Sequence, residues 1–338
     1  MTRAAIVGTG FVARVHAHAL RELGVPVVAV CGRSTTQAFA DEVGAPPYDD
    51  LGRLFDAEDV DVLHVCTPNA FHAEQALAAL ERGLHVVCEK PLAVSSAEAS
   101  ALVRAAARAG RVGAACYHVR GYPLVRRMRD DVAAGTIGAV RSVHGRYACD
   151  DMIVAPGGWR LDPEASGPSY VVGDLGTHWF DLAEHVTGLR VSEVFAQFVG
   201  EPLEDYAALL LRFESGAVGS VVLSAGFAGR KNQLLFECEG DAGGLTWDQE
   251  KPNTLLARGR DETRVVVKNA GPLARYPAGH AEGYGGAFRN VFANVYRAIA
   301  GEPHDPFPTF EDGVRGVATL EAAVTSAREA QWVAIASA

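Results

Sequence analysis

Apolar residues in the first third of the chain come in short unbroken runs, separated by longer stretches of helical character. Ala4–Val7, Val27–Cys31, Val62–Cys66, Leu84–Cys88 and Val112–Cys116 are runs of strand length with almost no polar positions, the pattern of strands covered on both faces of a sheet. Phe11–Glu22, Phe71–Arg82 and Ala97–Ala109 read as the helices between them. Strand alternating with helix predicts a parallel, doubly wound α/β sheet, with ligands bound beyond the carboxyl ends of its strands.

The pattern changes after residue 119. Pro123–Ala134 reads as an arginine-rich helix and Val140–Tyr147 as an alternating strand. A central helix over about residues 174–187 is followed by strand-like runs at Val191–Val199, Ala207–Phe213, Gly219–Leu223, Gln233–Glu239 and Arg264–Val267, with turns at Glu214-Ser215-Gly216 and Gly240-Asp241-Ala242-Gly243. Two helices, Gly286–Ala300 and Asp312–Ala336, close the chain, the second carrying Val317, Leu320, Val324 and Trp332. The fold class expected is therefore α/β: a doubly wound domain over residues 1–119, then an α+β domain over 120–338 with a large, mostly antiparallel, open-faced sheet. Val221, Leu223, Leu235 and Phe227 are expected on the open face. A second subunit is the natural cover, which predicts a homodimer or homotetramer.

Composition narrows the function. At 338 residues, 49% hydrophobic and 21% charged, the chain suits two well-cored domains of an ordinary soluble protein. A formal charge of −10 without any Lys/Arg run argues against nucleic acid or an anionic membrane as a partner. No apolar run approaches a membrane span, and the first residues show no export signal, so a cytoplasmic protein is expected. The six cysteines stand singly, which predicts reduced thiols in the core.

Four places carry candidate chemistry. Gly8-Thr9-Gly10-Phe11-Val12-Ala13 is a G-x-G-x-x-A turn directly after the first apolar run. In that setting Gly8, Gly10, Phe11 and Val12 are expected against a dinucleotide pyrophosphate, at the N-terminus of the following helix. The second strand ends in Gly32-Arg33-Ser34-Thr35-Thr36, with no acid until Asp41. An acid there would accept from a ribose 2′-hydroxyl. Arg33 and Ser34 suit a 2′-phosphate instead, which favours NADP(H) and leaves NAD(H) possible; alternatively Arg33 stacks on an adenine or points into solvent. Two later strand ends carry Thr67, Asn69 and His72, and Glu89 with Lys90. These are expected at the cofactor, with Lys90 reaching a substrate hydroxyl.

The fourth place is Gly167–Gly188, which reads as a helix entered through a glycine-rich turn. Asp174 and His178 stand four apart and so share a face. Gly173 and Gly176 beside them would let another molecule approach the backbone. Three readings are open for the pair: a capped helix with a packed histidine, a metal site, or a proton-transfer histidine tuned by a carboxylate. Asp174, His178, Asp181 and His185 form too long a stripe for one ion, adjacent turns being about 5.4 Å apart, and no metal is expected.

With these motifs in order, the chain resembles the Gfo/Idh/MocA family, the glucose-fructose oxidoreductase and inositol dehydrogenase group. The resemblance spans nearly the whole length. It rests also on Cys66-Thr67-Pro68-Asn69 with His72, Glu89-Lys90-Pro91, Gly158-Trp159-Arg160-Leu161-Asp162-Pro163, Gly173-Asp174-Leu175-Gly176-Thr177-His178 with Asp181, and Pro308-Thr309-Phe310-Glu311-Asp312-Gly313. It implies a Rossmann domain, Lys90, Asp174 and His178 around the reacting carbon, Trp159 and Arg160 at the cofactor, and a substrate pocket including Arg120 and His280. Relatives often have a cis peptide after the lysine. Where many carry Asn-Tyr-Arg, this chain has His118-Val119-Arg120, a departure that bears on the substrate. The activity implied is hydride transfer between a nicotinamide and a secondary alcohol or ketone of a sugar or cyclitol. Two alternatives in the family are a cofactor-binding regulatory protein without turnover and a redox-assisted glycoside hydrolase.

Overall fold

The computed structural model describes residues 2–33, 35–271 and 273–336. The chain divides into two compact units: residues 1–118 with 284–314, and residues 119–283 with 315–338. A single cut at 119 thus omits the return of residues 284–314 to the first unit. The reason is visible in the packing: Ala13, Ala17 and Leu20 of the helix Phe11–Leu23 share one apolar core with Phe288, Phe292 and Val295 of the helix Tyr284–Ile299.

The first unit holds six parallel strands, β1 (Ala4–Val7), β2 (Val27–Cys31), β3 (Pro47–Tyr48), β4 (Val62–Val65), β5 (His85–Cys88) and β6 (Gly113–Ala115), in the order β3-β2-β1-β4-β5-β6. Helices Phe11–Leu23, Thr36–Val43, Leu51–Ala57, His72–Glu81 and Ser96–Ala109 lie between strands of the chain. Every residue of β1 and β4 is buried, as apolar runs covered on both faces require. The register levels one edge: Val7 pairs with Cys31 and Val65, Val65 with Cys88, and Cys88 with Ala115. Gly8, Gly32, Cys66, Glu89 and Cys116 therefore stand in one row where the strands end. The strand order reverses between β1 and β4, which opens the crevice of a doubly wound sheet.

The second unit is built on nine strands: β7 (Val140–Ala148), β8 (Val191–Val199), β9 (Tyr206–Phe213), β10 (Val218–Ser224), β11 (Gln233–Gly240), β12 (Gly243–Asp248), β13 (Thr254–Gly259), β14 (Thr263–Val267) and β15 (Val333–Ala334). Their order is β14-β13-β12-β11-β7-β10-β9-β8-β15, antiparallel except for the β7–β10 pair. The strands β12, β13 and β15 were not expected from the sequence. The last helix is Phe310–Glu329; it stops short of Ala336, and Val333–Ala334 pairs with β8.

The two faces of this sheet also differ from expectation. Val221 and Leu223 are buried on the covered face, because the two-residue period of β10 places them with Gly219 while Val218, Ser220 and Val222 face the other way. The uncovered face carries Leu210, Val218, Leu256 and Val265, all at least 38% exposed, among polar residues such as Ser142, His144 and Thr246. Leu235 is half-buried on that face, and Phe227 lies in the loop beyond β10.

The helix Thr177–Thr187 packs on the covered face through Trp179, whose indole Nε1 donates to the Leu235 carbonyl at 3.3 Å. A Cβ on Gly145 of β7 would stand 2.1 Å from that carbonyl oxygen and 2.6 Å from the indole nitrogen. Glycine is what lets helix and sheet meet here. Gly145→Ala should therefore cost about 2 kcal/mol or more and lower the melting temperature by a few degrees; a wild-type melting curve would show that the contact can relax freely.

Candidate functional site

In the first unit, the turn after β1 is shaped for close approach. Gly8 has φ +100°, and a Cβ there would lie 2.3 Å from the Cys66 carbonyl oxygen, so only glycine passes over the end of β4. Gly10 precedes the helix Phe11–Leu23 without any side-chain cap, and a Cβ on it would meet nothing within 4 Å. The first N–H groups of the helix thus face open space, an arrangement that fits a pyrophosphate. Phe11 is 73% exposed and its ring stacks on Tyr284 at 6.3 Å, while Val12 is half-buried.

At the end of β2 the Arg33 guanidinium lies over the Phe71 ring, 5.6 Å from its centre, and the Thr9 and Thr35 hydroxyls share a hydrogen bond. Ser34 lies outside the described residues. Thr67 donates to Gln75 Oε1 at 2.7 Å, and the buried Asn69 opens a short 3-10 turn, Asn69–Phe71. His72 is buried, with ring nitrogens 2.8 Å from the Pro91 carbonyl and 2.9 Å from that of Thr67. It latches together the two strand-end turns that carry Thr67 and Lys90. Burial holds its pKa below the ordinary histidine value, against the pull of the two carbonyls.

Glu89 is 6% exposed and accepts from His16 Nε2 at 3.0 Å and from the backbone N–H of Lys90 at 3.3 Å. Burial alone would push its carboxyl up; the hydrogen bond from His16 and the charge of Lys90 act against this and hold it below the ordinary carboxylate value. Lys90 itself is half-buried and joined to Pro91 by a cis peptide bond. His118 is buried between Phe288, stacked at 4.6 Å, and Tyr284 at 4.8 Å. Burial lowers its pKa to about 3, so it is neutral at physiological pH.

The second unit carries Asp174 and His178. Val172–Gly176 is wound as a π-helical turn that runs directly into the α-helix Thr177–Thr187, where a glycine-rich turn was expected. Such turns concentrate at functional sites. Gly173 and Gly176 are buried; a Cβ on Gly176 would stand 2.8 Å from Leu223, so its smallness serves internal packing, whereas one on Gly173 would meet only the end of Leu320, at 3.4 Å.

The π turn rests on a residue that sequence reasoning missed. The buried Glu204 accepts from the Ser169 hydroxyl and from the Val172 N–H at 3.1 Å. It lies between strands, where no periodicity marks it. Asp174 accepts from Arg160 Nε at 3.1 Å, and the Arg160 guanidinium lies over the Trp159 ring at 4.8 Å. The Asp174 charge raises the pKa of that arginine. His178 is 3% exposed, its ring 6.1 Å from that of Tyr147.

Arg120, expected at the substrate, forms a buried two-bond ion pair with Asp181: its Nε donates to Oδ2 at 2.8 Å and its Nη2 to Oδ1. The signal for this partner was in the sequence, since Asp181 lies on the apolar face of its helix and a buried carboxylate needs a cation. His280 is exposed, in a loop tied by the buried Lys268–Glu282 ion pair at 2.6 Å.

Two family models match. The oxidoreductase family model with an NAD-binding Rossmann fold covers residues 2–117, and the GFO/IDH/MocA C-terminal domain covers 125–246. Among curated relatives, the 1,5-anhydro-D-fructose reductase of Ensifer adhaerens is 32% identical over 98% of each chain. Among solved structures, an oxidoreductase domain protein from Kribbella flavida superposes with a TM-score of 0.93 at 32% identity over all of both chains. An inositol dehydrogenase homolog from Azotobacter vinelandii, complexed with NAD+, gives 0.89 at 30% identity over 98% of this chain and 97% of the other. With a doubly wound sheet, an open glycine turn and a lysine and histidine set at strand and helix ends, this chain belongs to the Gfo/Idh/MocA family of oxidoreductases, whose N-terminal domain is an NAD-binding Rossmann fold.

Proposed function

We propose that the protein is a dehydrogenase or reductase that interconverts a secondary alcohol and a ketone on a sugar, sugar derivative or cyclitol. The observation that carries this reading is the placement of His178: a buried imidazole one residue past a π-to-α junction, in a family whose relatives include sugar reductases. When bound, the nicotinamide supplies the hydride acceptor or donor. The chain's own residues do the rest. The bare N-terminus of the helix Phe11–Leu23 holds the pyrophosphate. Trp159 and Arg160 also contact the cofactor. A nitrogen of the His178 ring takes the hydroxyl proton during oxidation and returns it during reduction. The Lys90 ammonium donates to the same oxygen and stabilises alkoxide character as it grows. Asp174, held by Arg160, keeps its carboxylate at the entry to the histidine helix and receives a neighbouring hydroxyl. Arg120 and His280 belong to the substrate side, Arg120 by fixing Asp181.

Arg33, with hydroxyls beside it and no acid at the end of β2, suits a 2′-phosphate, so NADP(H) is the favoured cofactor and NAD(H) the alternative. The mixed uncovered face of the nine-stranded sheet supports association of two or four copies through it, with no nucleic acid or membrane partner, in the cytoplasm.

Three outcomes are expected. His178→Ala should lower turnover by about a hundredfold or more while cofactor affinity stays near normal by fluorescence titration; wild-type turnover in that variant removes His178 from the chemistry. Arg33→Ala should cost roughly tenfold in kcat/KM with NADPH and little with NADH. A wild-type enzyme that prefers NADH would overturn the cofactor assignment and leave the reaction standing. In light scattering, the mass should be two or four times the 35.7 kDa of the chain; a monomer contradicts the assembly.

A further inference from the structure

Four buried polar side chains from four separate segments of the first unit form one continuous line. Tyr296 lies on the helix Tyr284–Ile299, His64 on β4, His16 on the helix Phe11–Leu23, and Glu89 directly after β5. The Tyr296 hydroxyl is 2.9 Å from His64 Nε2, His64 Nδ1 is 2.9 Å from His16 Nδ1, and His16 Nε2 is 3.0 Å from Glu89 Oε1. Both histidines are fully buried, Glu89 is 6% and Tyr296 9% exposed. Phe292 meets both imidazoles edge to face, at 4.7 and 5.1 Å, and fixes their planes. A histidine in the middle of an otherwise apolar parallel strand has no packing rationale of its own.

The chemistry of the four groups gives the line a direction. Glu89 is a carboxylate and can only accept, so the proton of His16 sits on Nε2. A second proton would pair with Glu89 and make Nδ1 a donor; the singly protonated ring leaves His16 Nδ1 an acceptor and gives the line the following order. His64, kept neutral by burial, then donates from Nδ1 and accepts at Nε2, which leaves Tyr296 to donate its hydroxyl proton. All three hydrogens point toward Glu89, whose other oxygen accepts the Lys90 backbone N–H.

We propose that Tyr296, His64 and His16 are an ordered donor chain that positions the Glu89 carboxylate, and through it the Lys90 turn, for hydride-transfer chemistry. The role rests on the function proposed above for Lys90, and these are positioning residues, remote from the reacting atoms. Cys116 Sγ lies 3.6 Å from His16 Nε2, and one atom each from His16, Glu89 and Cys116 fall within 4.8 Å of one another. Burial and the Glu89 charge push the Cys116 thiol well up, so it keeps its proton and the group is filled by hydrogen bonds in place of a cation.

Nitrogen-15 NMR of the histidine rings in the intact protein tests the order without using turnover. His16 should be protonated on Nε2 alone and His64 on Nδ1 alone; His64 protonated on Nε2 overturns the chain. His64→Asn keeps a donor near the place of Nδ1, whereas His64→Val does not. Turnover should fall roughly tenfold in His64→Val, about one lost buried hydrogen bond, with cofactor KM unchanged, and recover in His64→Asn. Equal turnover in both variants and the wild type overturns the positioning role. Should His64→Val not fold, Tyr296→Phe removes only the far donor: His64 should keep its proton on Nδ1, where His16 accepts it, and a shift of that proton to Nε2 overturns the order. Stoichiometric zinc in the purified protein, lost on Cys116→Ser, also overturns it. Undiminished turnover in Lys90→Met would instead remove Lys90 from the proposed chemistry, and the tautomer result would tell the two failures apart.

Discussion

A carboxylate inside an apolar domain costs several kcal/mol unless donors surround it, and the polar interior of the first unit is arranged around that constraint at Glu89. The residue stands in the row of strand ends between Cys66 and Cys116, with His16 donating to one oxygen and the Lys90 N–H to the other. His72 holds the same turn from the opposite side, through the carbonyl of Pro91. The lysine is thus carried on a turn pinned at three points, the support that the role proposed for it would require.

The second unit meets the same constraint with different residues. Asp181 is neutralised by Arg120 inside the helix that carries His178, and Glu204 sits under the π turn that carries Asp174. Glu204 in particular holds a segment whose backbone departs from regular α-helical geometry. The helix that carries His178 also packs on the sheet, through Trp179 against Gly145.

How much of this was legible in the sequence depends on range. Unbroken apolar runs gave the parallel sheet, because strands covered on both faces leave no polar positions. The glycine turn was readable because Gly8-Thr9-Gly10 stands directly between a strand and a helix, although the group that demands Gly8, the Cys66 carbonyl, comes from a distant strand. Long-range features were not. The return of residues 284–314 depends on Phe288 and Phe292 meeting Ala17 and Leu20 across more than 250 positions. The face of Val221 depends on strand register. β12 and β13 are short and glycine-flanked, with no alternation strong enough to announce them. His16, His64 and Tyr296 are unmarked in the sequence for the same reason: singly each is an ordinary polar residue in an apolar stretch, and only the fold sets them end to end.

The central claim is that the chain moves a hydride between a carbinol carbon and a nicotinamide. Its most direct test is isotopic. A sugar or cyclitol substrate bearing deuterium on the reacting carbon should pass that deuterium to C4 of the nicotinamide, one atom for each carbonyl formed. Reduced cofactor without the label, or release of a leaving group with no net change in the cofactor, would contradict the claim.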